Sequence, residues 1–385
     1  MAKEFKIFMD CRLLFYAGVG RYQREILLNI FKEKDINVKF FILCEGERIK
    51  EFILSNGLPL ENFYIINSNA KKYSFTEQFQ LFHIFFSYRK KVDVFFSPHY
   101  NLPILYIPKN LVVTIHDLTY HHFPKYFGML KTAAAKMVLK RTLKKAKKII
   151  TVSNFVKKDI IDMFGDISSD LINKIEVIYN GLSPNFCNMP NEDAKRAFKI
   201  KKHVDNYILY CGNRKRHKNI ERLIKAFKIV KNEFKNLKFI IIGSKFKEND
   251  YLDEFIRKEQ GDADIIQLQN ISDEEIKLYY ACASAFTLFS LSEGFGFAPL
   301  EASACGVPLI LSRVGALPEI FGSAALFVDP YNINEMATQI RNVLVDESLR
   351  SNLKKRSLEI SKKYLSMEMA NKTFKCLKDT VGFTL

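Results

Sequence analysis

Apolar residues along this chain gather in short unbroken runs, and between the runs they recur every three or four positions. In the first half the runs are FKIFMD, VKFFIL, NFYIIN, VDVFFS, LVVTIH, KKIITVS and IEVIYN. Unbroken runs, rather than strict alternation of apolar and polar, predict parallel strands covered on both faces. The stretches 21–32 and 76–90 carry helical spacing, so strand and helix alternate as in βαβ units. The polar segment NGLSPNFCNMPNEDAK, with its two prolines, breaks the pattern, and we place a linker across 182–191. The alternation resumes with YILYCG, a helix over 220–234, KFIIIG, another helix, DIIQLQ, the helix SDEEIKLYYACA, and AFTLFS. LEASACG follows as a helix closed by Gly306, then VPLILS, a short helix and ALFVDP. The pattern predicts two doubly wound α/β domains in tandem, one over 1–186 and one over 187–363. Such sheets bind ligands at the carboxyl ends of their strands, and two facing domains would leave a cleft.

A length of 385 residues suits two domains of ordinary size. The formal charge of +17 raises nucleic acid, anionic lipid and phosphorylated substrates as partners. No helix-turn-helix, zinc-finger or RNA-recognition signal accompanies it, so nucleic acid is set aside. Part of the charge is local. No Asp or Glu occurs from Leu118 to Lys158, a span that contains KTAAAKMVLKRTLKKAKK, Lys131 to Lys148. There, Ala133, Ala134, Met137, Val138 and Leu143 predict a helix with a core-facing stripe and a solvated basic face. A face without acids also suits an anionic membrane surface. The seven cysteines include no CxxC pair and no His/Cys cluster at ligand spacing, which predicts buried free thiols and no metal site. No apolar run is long enough to span a bilayer, and MAKEFKIFMD enters a strand pattern directly, so the expectation is a cytoplasmic protein.

The candidate chemistry concentrates in SLSEGFGFAPLEA, Ser290 to Ala302. AFTLFS should end as a buried strand, which makes LSEGFG the loop at its carboxyl end. Pro299 is expected in the first turn of the next helix, where a missing N–H costs nothing. Gly294 and Gly296 allow close backbone approach to a ligand, and the amides from Gly294 to Ala298 can point outward at a helix N-terminus. Such a place favours an anion or a cluster of hydroxyls. Glu293 falls on the loop and Glu301 in the expected first helical turn, so two separate hydroxyl contacts fit better than a symmetric acid/base couple.

Two glutamates separated by seven residues, with Gly-Phe-Gly between them and Pro-Leu before the second, resemble the donor-site motif of family-four retaining glycosyltransferases. Further blocks are similar and stand in the family's order: DCRLLFYAGVGRYQREIL, TIHDLTYHHFPKYF, ITVSNFVKKDI, IYNGL, YCGNRKRHKNIERLIKAF, ISDEEIKLYYACASAF and ALPEIFGSAALFVDP. The subgroup most resembled is that of bacterial O-antigen and capsule mannosyltransferases. The resemblance implies a GT-B fold, with two Rossmann-like domains facing across a cleft and a C-terminal helix, about 364–385, crossing back to the first domain. It implies transfer of a hexose, best mannose from GDP-mannose, to a growing lipid-linked glycan. A nucleotide-sugar 2-epimerase and a transferase using a UDP-sugar are the alternatives.

The resemblance also implies roles. Glu301 would bind the ribose hydroxyls. Glu293, with the amides of Phe295, Gly296 and Phe297, would hold the sugar hydroxyls. Lys218 would neutralise the diphosphate, and His116 would sit beneath the sugar from the opposing domain. Gly18 and Gly20 would lie near the phosphates or the acceptor. Breaking a sugar–phosphate bond leaves negative charge on the diphosphate, and no Asp-x-Asp stands at a strand end to hold a metal against it. Asp262 and Asp264 in DAD fall in a polar stretch and read as surface. No cofactor is therefore expected, and Lys218, an arginine and a helix N-terminus would serve. The family often has Arg directly after the glycine of YCG. Here Asn213 stands there, so Arg214 is the choice, with Arg216 its rival. Gln269 replaces a usual glycine near the base pocket, and Met367 replaces a common tryptophan and is expected to pack within the C-terminal helix. His121, His122 and Glu319 have readings as structural or exposed residues. Gly18 and Gly20 do not complete a dinucleotide fingerprint, since Gln23 occupies the third glycine position.

Overall fold

The computed structural model describes residues 4–32, 37–44, 46–70, 74–186, 189–243, 250–259 and 263–383. The chain forms two compact units: Met1–Gly181 with Ser366–Leu385, and Leu182–Leu365. The first contains β1 (Phe5–Asp10), α1 (Ala17–Ile30), β2 (Val38–Cys44), α2 (Arg48–Ser55), β3 (Phe63–Asn67), α3 (Phe75–Tyr88), β4 (Val94–Ser97), β5 (Leu111–Ile115), α4 (Thr119–His122), α5 (Pro124–Phe127), α6 (Met129–Lys145), β6 (Lys148–Thr151), α7 (Asn154–Phe164), α8 (Leu171–Lys174) and β7 (Ile175–Val177). The second contains α9 (Glu192–Lys202), β8 (Tyr207–Cys211), α10 (Ile220–Lys231), β9 (Lys238–Gly243), α11 (Tyr251–Lys258), β10 (Ile265–Gln269), α12 (Asp273–Cys282), β11 (Ala285–Leu288), α13 (Phe297–Ala304), β12 (Leu309–Ser312), α14 (Leu317–Phe321), β13 (Ala325–Val328), α15 (Ile333–Val345) and α16 (Glu347–Ser361). The last helix, α17 (Ser366–Val381), belongs to the first unit.

Both sheets are parallel. Their orders are β3-β2-β1-β4-β5-β6-β7 and β10-β9-β8-β11-β12-β13. Each steps outward from its first strand and then returns past it, the Rossmann arrangement. The unbroken apolar runs have the expected cause: every residue of β4, β5, β11 and β12 is buried. Right-handed crossovers put α1 and α2 on one face of the first sheet and α3, α6 and α7 on the other. The side chains of β1 agree. Phe8 packs on Phe85 of α3, and Phe5 on Phe374 of α17. The C-terminal helix thus returns to the first sheet on the α1 face, where Asn29 Nδ2 donates to Ser366 Oγ at 3.2 Å.

Several expectations need correction. α1 starts at Ala17 and not near 21, so Gly18 and Gly20 lie in its first turn. α9 begins directly after the proline-rich segment, with Asn191 accepting the amide of Ala194 as its cap. The basic helix ends at Lys145, and Lys148 already belongs to β6. Its buried stripe is Thr132, Leu139, Thr142 and Leu143, whereas Ala133, Ala134 and Met137 face solvent. Buried threonines took the places assigned to alanine and methionine. Met367 is 44% exposed, because Met369, Ala370, Phe374 and Leu377 form the inward stripe of α17. Asp262 lies outside the described residues, and Asp264 is paired with Lys231 at 2.5 Å.

Candidate functional site

In the second sheet the strand order reverses between β8 and β11, which are hydrogen-bonded neighbours. The loops leaving their carboxyl ends therefore flank the natural ligand crevice of this fold. One carries Asn213, Arg214 and Lys218, and the other carries Glu293 to Phe297. Topology alone thus brings together two segments that are 75 residues apart, joined by a hydrogen bond from Lys218 Nζ to Glu293 Oε1 at 2.5 Å. Ser290 Oγ donates to the same carboxylate oxygen at 2.7 Å. Both partners are largely shielded from solvent, which removes the reading of Glu293 as an ordinary surface acid.

The loop after β8 is fixed by polar contacts. Asn219 adopts a left-handed φ of 60°, a conformation that asparagine tolerates better than most residues. Its Nδ2 donates to the carbonyls of Phe289 at 2.9 Å and Pro330 at 2.7 Å, tying the loop to the ends of β11 and β13. The amide of Leu291 donates to the His217 carbonyl at 2.7 Å. Tyr210 donates to the Asn213 carbonyl at 2.6 Å, and burial together with the charge of Glu293 pushes its phenol well above the ordinary range. Arg214 is buried and ion-paired through Nη1 with Asp250 at 3.2 Å and Asp253 at 2.8 Å. Arg216 is exposed and lies over the Tyr251 ring, 4.5 Å from its centroid.

The loop after β11 ends at Gly296, which caps α13 with φ 104°. The amides of Phe297 and Ala298 open the helix and have no acceptor within it. Pro299 is the third helical residue and Glu301 the fifth, so Glu301 sits in the second turn and not the first. It is buried and accepts a hydrogen bond from Tyr280 of α12 at 3.1 Å. The two acids keep separate company, Glu293 with a lysine and a serine and Glu301 with a tyrosine. Phe295 is buried, its ring 5.7 Å from that of Tyr364.

Gly315 is part of this construction although no local motif marks it. The amide of Ala316 donates to the Glu293 carbonyl at 2.9 Å. A Cβ on Gly315 would lie 2.2 Å from that carbonyl oxygen and 3.0 Å from the Glu293 nitrogen, and its φ is 62°. Asn219, Tyr280 and Ser290 are further supports of the same kind. Glu319 and Gln269 are exposed.

In the first unit the corresponding reversal lies between β1 and β4. A buried ionic cluster closes it. Arg12 donates through Nε to Asp10 at 2.9 Å, through Nη2 to Asp10 at 2.7 Å and to the Asn101 carbonyl at 2.8 Å, and through Nη1 to Glu77. Burial raises the Asp10 pKa, but the adjacent Arg12 and His99 more than reverse this and hold the carboxyl well below its ordinary range. Gly20 is required by close approach, since a Cβ there would lie 2.4 Å from the Leu14 carbonyl oxygen.

His116 follows β5. Burial lowers its pKa to about 4, against the Pro98 carbonyl and Asp117, which favour the charged ring. The neutral ring must carry its proton on Nε2, because that nitrogen is 3.0 Å from the Pro98 carbonyl, which can only accept. Asp117 accepts the amide of Thr119 at 2.9 Å, and His122 pairs with Asp159 at 2.7 Å. Among the described residues no three His, Cys, Asp or Glu side chains gather as ligands for an ion, and no helix is long and apolar enough to cross a membrane.

Comparison with known proteins agrees with this fold. Residues 16–186 match the family described as Glycosyltransferase Family 4, and residues 191–359 match Glycosyl transferases group 1. The chain is 30% identical over 269 residues to O-antigen chain mannosyltransferase B of Escherichia coli, covering 69% of this chain and 70% of that protein. It is 30% identical over 250 residues to O-antigen chain mannosyltransferase RfbU of Salmonella typhimurium, covering 64% of each. Among solved structures, a sucrose-phosphate synthase from Thermosynechococcus elongatus superposes with a TM-score of 0.79 at 16% identity, over 99% of this chain and 100% of that one. Anabaena HepE in complex with UDP-glucose gives 0.76 at 16% identity, over 98% and 100%.

Proposed function

This chain belongs to the family-four, group 1 glycosyltransferases of GT-B fold, enzymes that move a sugar from a nucleotide donor to an acceptor, and on that premise we propose that it transfers mannose from GDP-mannose to a growing lipid-linked bacterial glycan with retention of configuration. The observation that carries the reading is the Lys218–Glu293 pair at the switch point of the second sheet, with Glu301 held by Tyr280 in the following helix. In the reaction the bond from the anomeric carbon to the diphosphate oxygen breaks and one to an acceptor oxygen forms. Lys218 then meets the charge that develops on the leaving diphosphate. The first-turn amides of α13 add to it, each dipolar contact supplying roughly 0.3–1 kcal/mol or more when partly buried. Glu293 and the amides of Phe295, Gly296 and Phe297 orient the sugar hydroxyls, and Glu301 accepts from the ribose.

Arg214 and Asn213, on the loop that carries Lys218, bind the donor beside it, with Asp250 and Asp253 holding the Arg214 guanidinium in place. His116, neutral and with Nδ1 as its acceptor, is suited to receive a sugar hydroxyl. Gly18 and Gly20, in the first turn of α1, belong to the acceptor side. The names of the Escherichia coli and Salmonella relatives support mannose. Peripheral attachment to an anionic membrane belongs to the same reading, and the acid-free face of α6 supports it by charge.

Calorimetry with GDP-mannose, UDP-glucose and UDP-N-acetylglucosamine tests the donor. The expected result is binding of GDP-mannose by the wild type, weakened roughly a hundredfold in Glu301→Ala through loss of a buried charged acceptor. Binding of a UDP-sugar with none of GDP-mannose overturns the assignment of mannose. Unchanged affinity in Glu301→Ala overturns the role of that residue. The anomeric coupling of the product, read by NMR, decides retention.

A further inference from the structure

We propose that the aromatic face of α3 in the first unit inserts into the surface of an anionic phospholipid bilayer. Phe75, Phe79, Phe82 and Phe86 are spaced by four, three and four residues, so they form one stripe along the helix. Phe75 is 88% exposed, Phe79 59% and Phe86 42%, with Phe82 half-buried between them. Isolated exposed phenylalanines are ordinary, but an aligned row on a single helix is an apolar patch kept in water at a cost. The opposite face does the packing: Leu81 and Phe85 are buried, and Phe85 meets Phe8 and Phe95 of the sheet. The stripe is therefore additional to what the fold needs.

The patch continues onto the loop before β5. Ile104 donates its amide to Gln78 Oε1 at 2.9 Å, which fixes that loop against α3. Leu105, 59% exposed, and Tyr106, whose ring meets Phe86 edge-on at 5.5 Å, extend the surface.

Charge selects the occupant. The one acid of α3, Glu77, is fully buried and paired with Arg12, so no negative group stands on the exposed face. Arg89, Lys90 and Lys91 follow the helix directly and are exposed. The Arg89 guanidinium lies over the Phe86 ring, 3.6 Å from its centroid, and donates to the Phe86 carbonyl at 2.6 Å. Aromatic rings with cations at their border match the boundary between acyl chains and anionic headgroups. The crossovers place α6, with its acid-free basic face, on the same side of the sheet. Two copies meeting through this surface would bring like charges together, which disfavours self-association. The inference concerns the surface of the first unit and rests on the proposed reaction only for its purpose, delivery of a lipid-linked acceptor.

The chain contains no tryptophan, so Phe79→Trp in this 385-residue chain provides a single reporter in a nearly conservative exchange. With phosphatidylcholine vesicles containing phosphatidylglycerol, indole emission should shift to the blue and be quenched by brominated acyl chains. Pure phosphatidylcholine should give a weaker response. The triple variant Phe75→Ser, Phe79→Ser, Phe86→Ser should lose vesicle binding roughly tenfold or more, with its melting temperature and donor affinity retained. Co-sedimentation of the Phe79→Trp protein without shift or quenching overturns the proposal in favour of attachment through α6 alone. Wild-type dimerisation that the triple variant abolishes overturns it in favour of a second copy. The vesicle signal needs no donor, so failure of the mannose assignment leaves this test intact.

Discussion

Replacing Gly315 by alanine is expected to damage the candidate site from outside it. Three costs can be worked out. At φ 62° an alanine is in the left-handed region, which costs about 1–2 kcal/mol. The added Cβ would also lie 2.2 Å from the Glu293 carbonyl oxygen, a backbone atom that cannot rotate away as a side-chain end could. One of the two segments must retreat by roughly an ångström, and a displacement of that size at a reacting group costs about a hundredfold in turnover. The hydrogen bond from Ala316 to Glu293 is stretched in the process, a further loss of roughly 1 kcal/mol. Gly315→Ala should therefore lower kcat/KM for nucleotide release by about two orders of magnitude, with a loss of roughly 2–3 kcal/mol in urea stability. The cause is separable from general damage. In a Glu293→Ala background the same substitution should cost much less, because the group it displaces is already gone. A Gly315→Ala protein with donor affinity and turnover within about twofold of wild type would refute the reasoning, as would full additivity with Glu293→Ala.

Two further outcomes follow from the geometry. Lys218→Ala should lower kcat by roughly a hundredfold, about 3 kcal/mol of barrier, in single-turnover release of nucleotide. Near-wild-type turnover would move the diphosphate contact to Arg214 or Arg216. His116 should make stability depend on pH in a stated window. Its pKa is near 6.5 in the unfolded chain and about 4 in the folded one, so below 6.5 the unfolded chain takes a proton that the folded chain refuses. The stability that wild type holds over His116→Gln is thus complete above about pH 6.5 and falls by up to roughly 3 kcal/mol as pH drops to about 4. A difference in urea midpoints that does not change between pH 7 and 4.5 would contradict this.

The fold was legible because parallel strands buried on both faces leave a signature that needs no alignment. LVVTI reads as a buried strand because each of its five residues is buried. Helices with thin inward faces were harder. α9 buries only Phe198, so its acidic first turn and asparagine cap were overshadowed by the prolines before it. In α6 hydrophobicity pointed to Ala133, Ala134 and Met137, whereas the 3.6-residue period joining Leu139 and Leu143 passes through Thr132 and Thr142. A threonine can be buried on a helix by bonding back to the preceding turn, as Thr132 does to Gly128 at 3.0 Å. The same limit explains which parts of the candidate site could be read. Lys218, Glu293 and Glu301 stand in local motifs whose residue types announce charge. Tyr280 reaches Glu301 across 21 residues, Asn219 reaches Pro330 across 111, and Gly315 matters only because the Glu293 backbone passes beside it. These supports are relations between segments, and a linear chain displays residues rather than relations. Only Asn219 carried a trace, since an asparagine between a basic turn and an apolar helix suits a left-handed cap. The groups that hold the chemistry are therefore more legible than the groups that hold them in place, because charge is written in one residue and position is written in two.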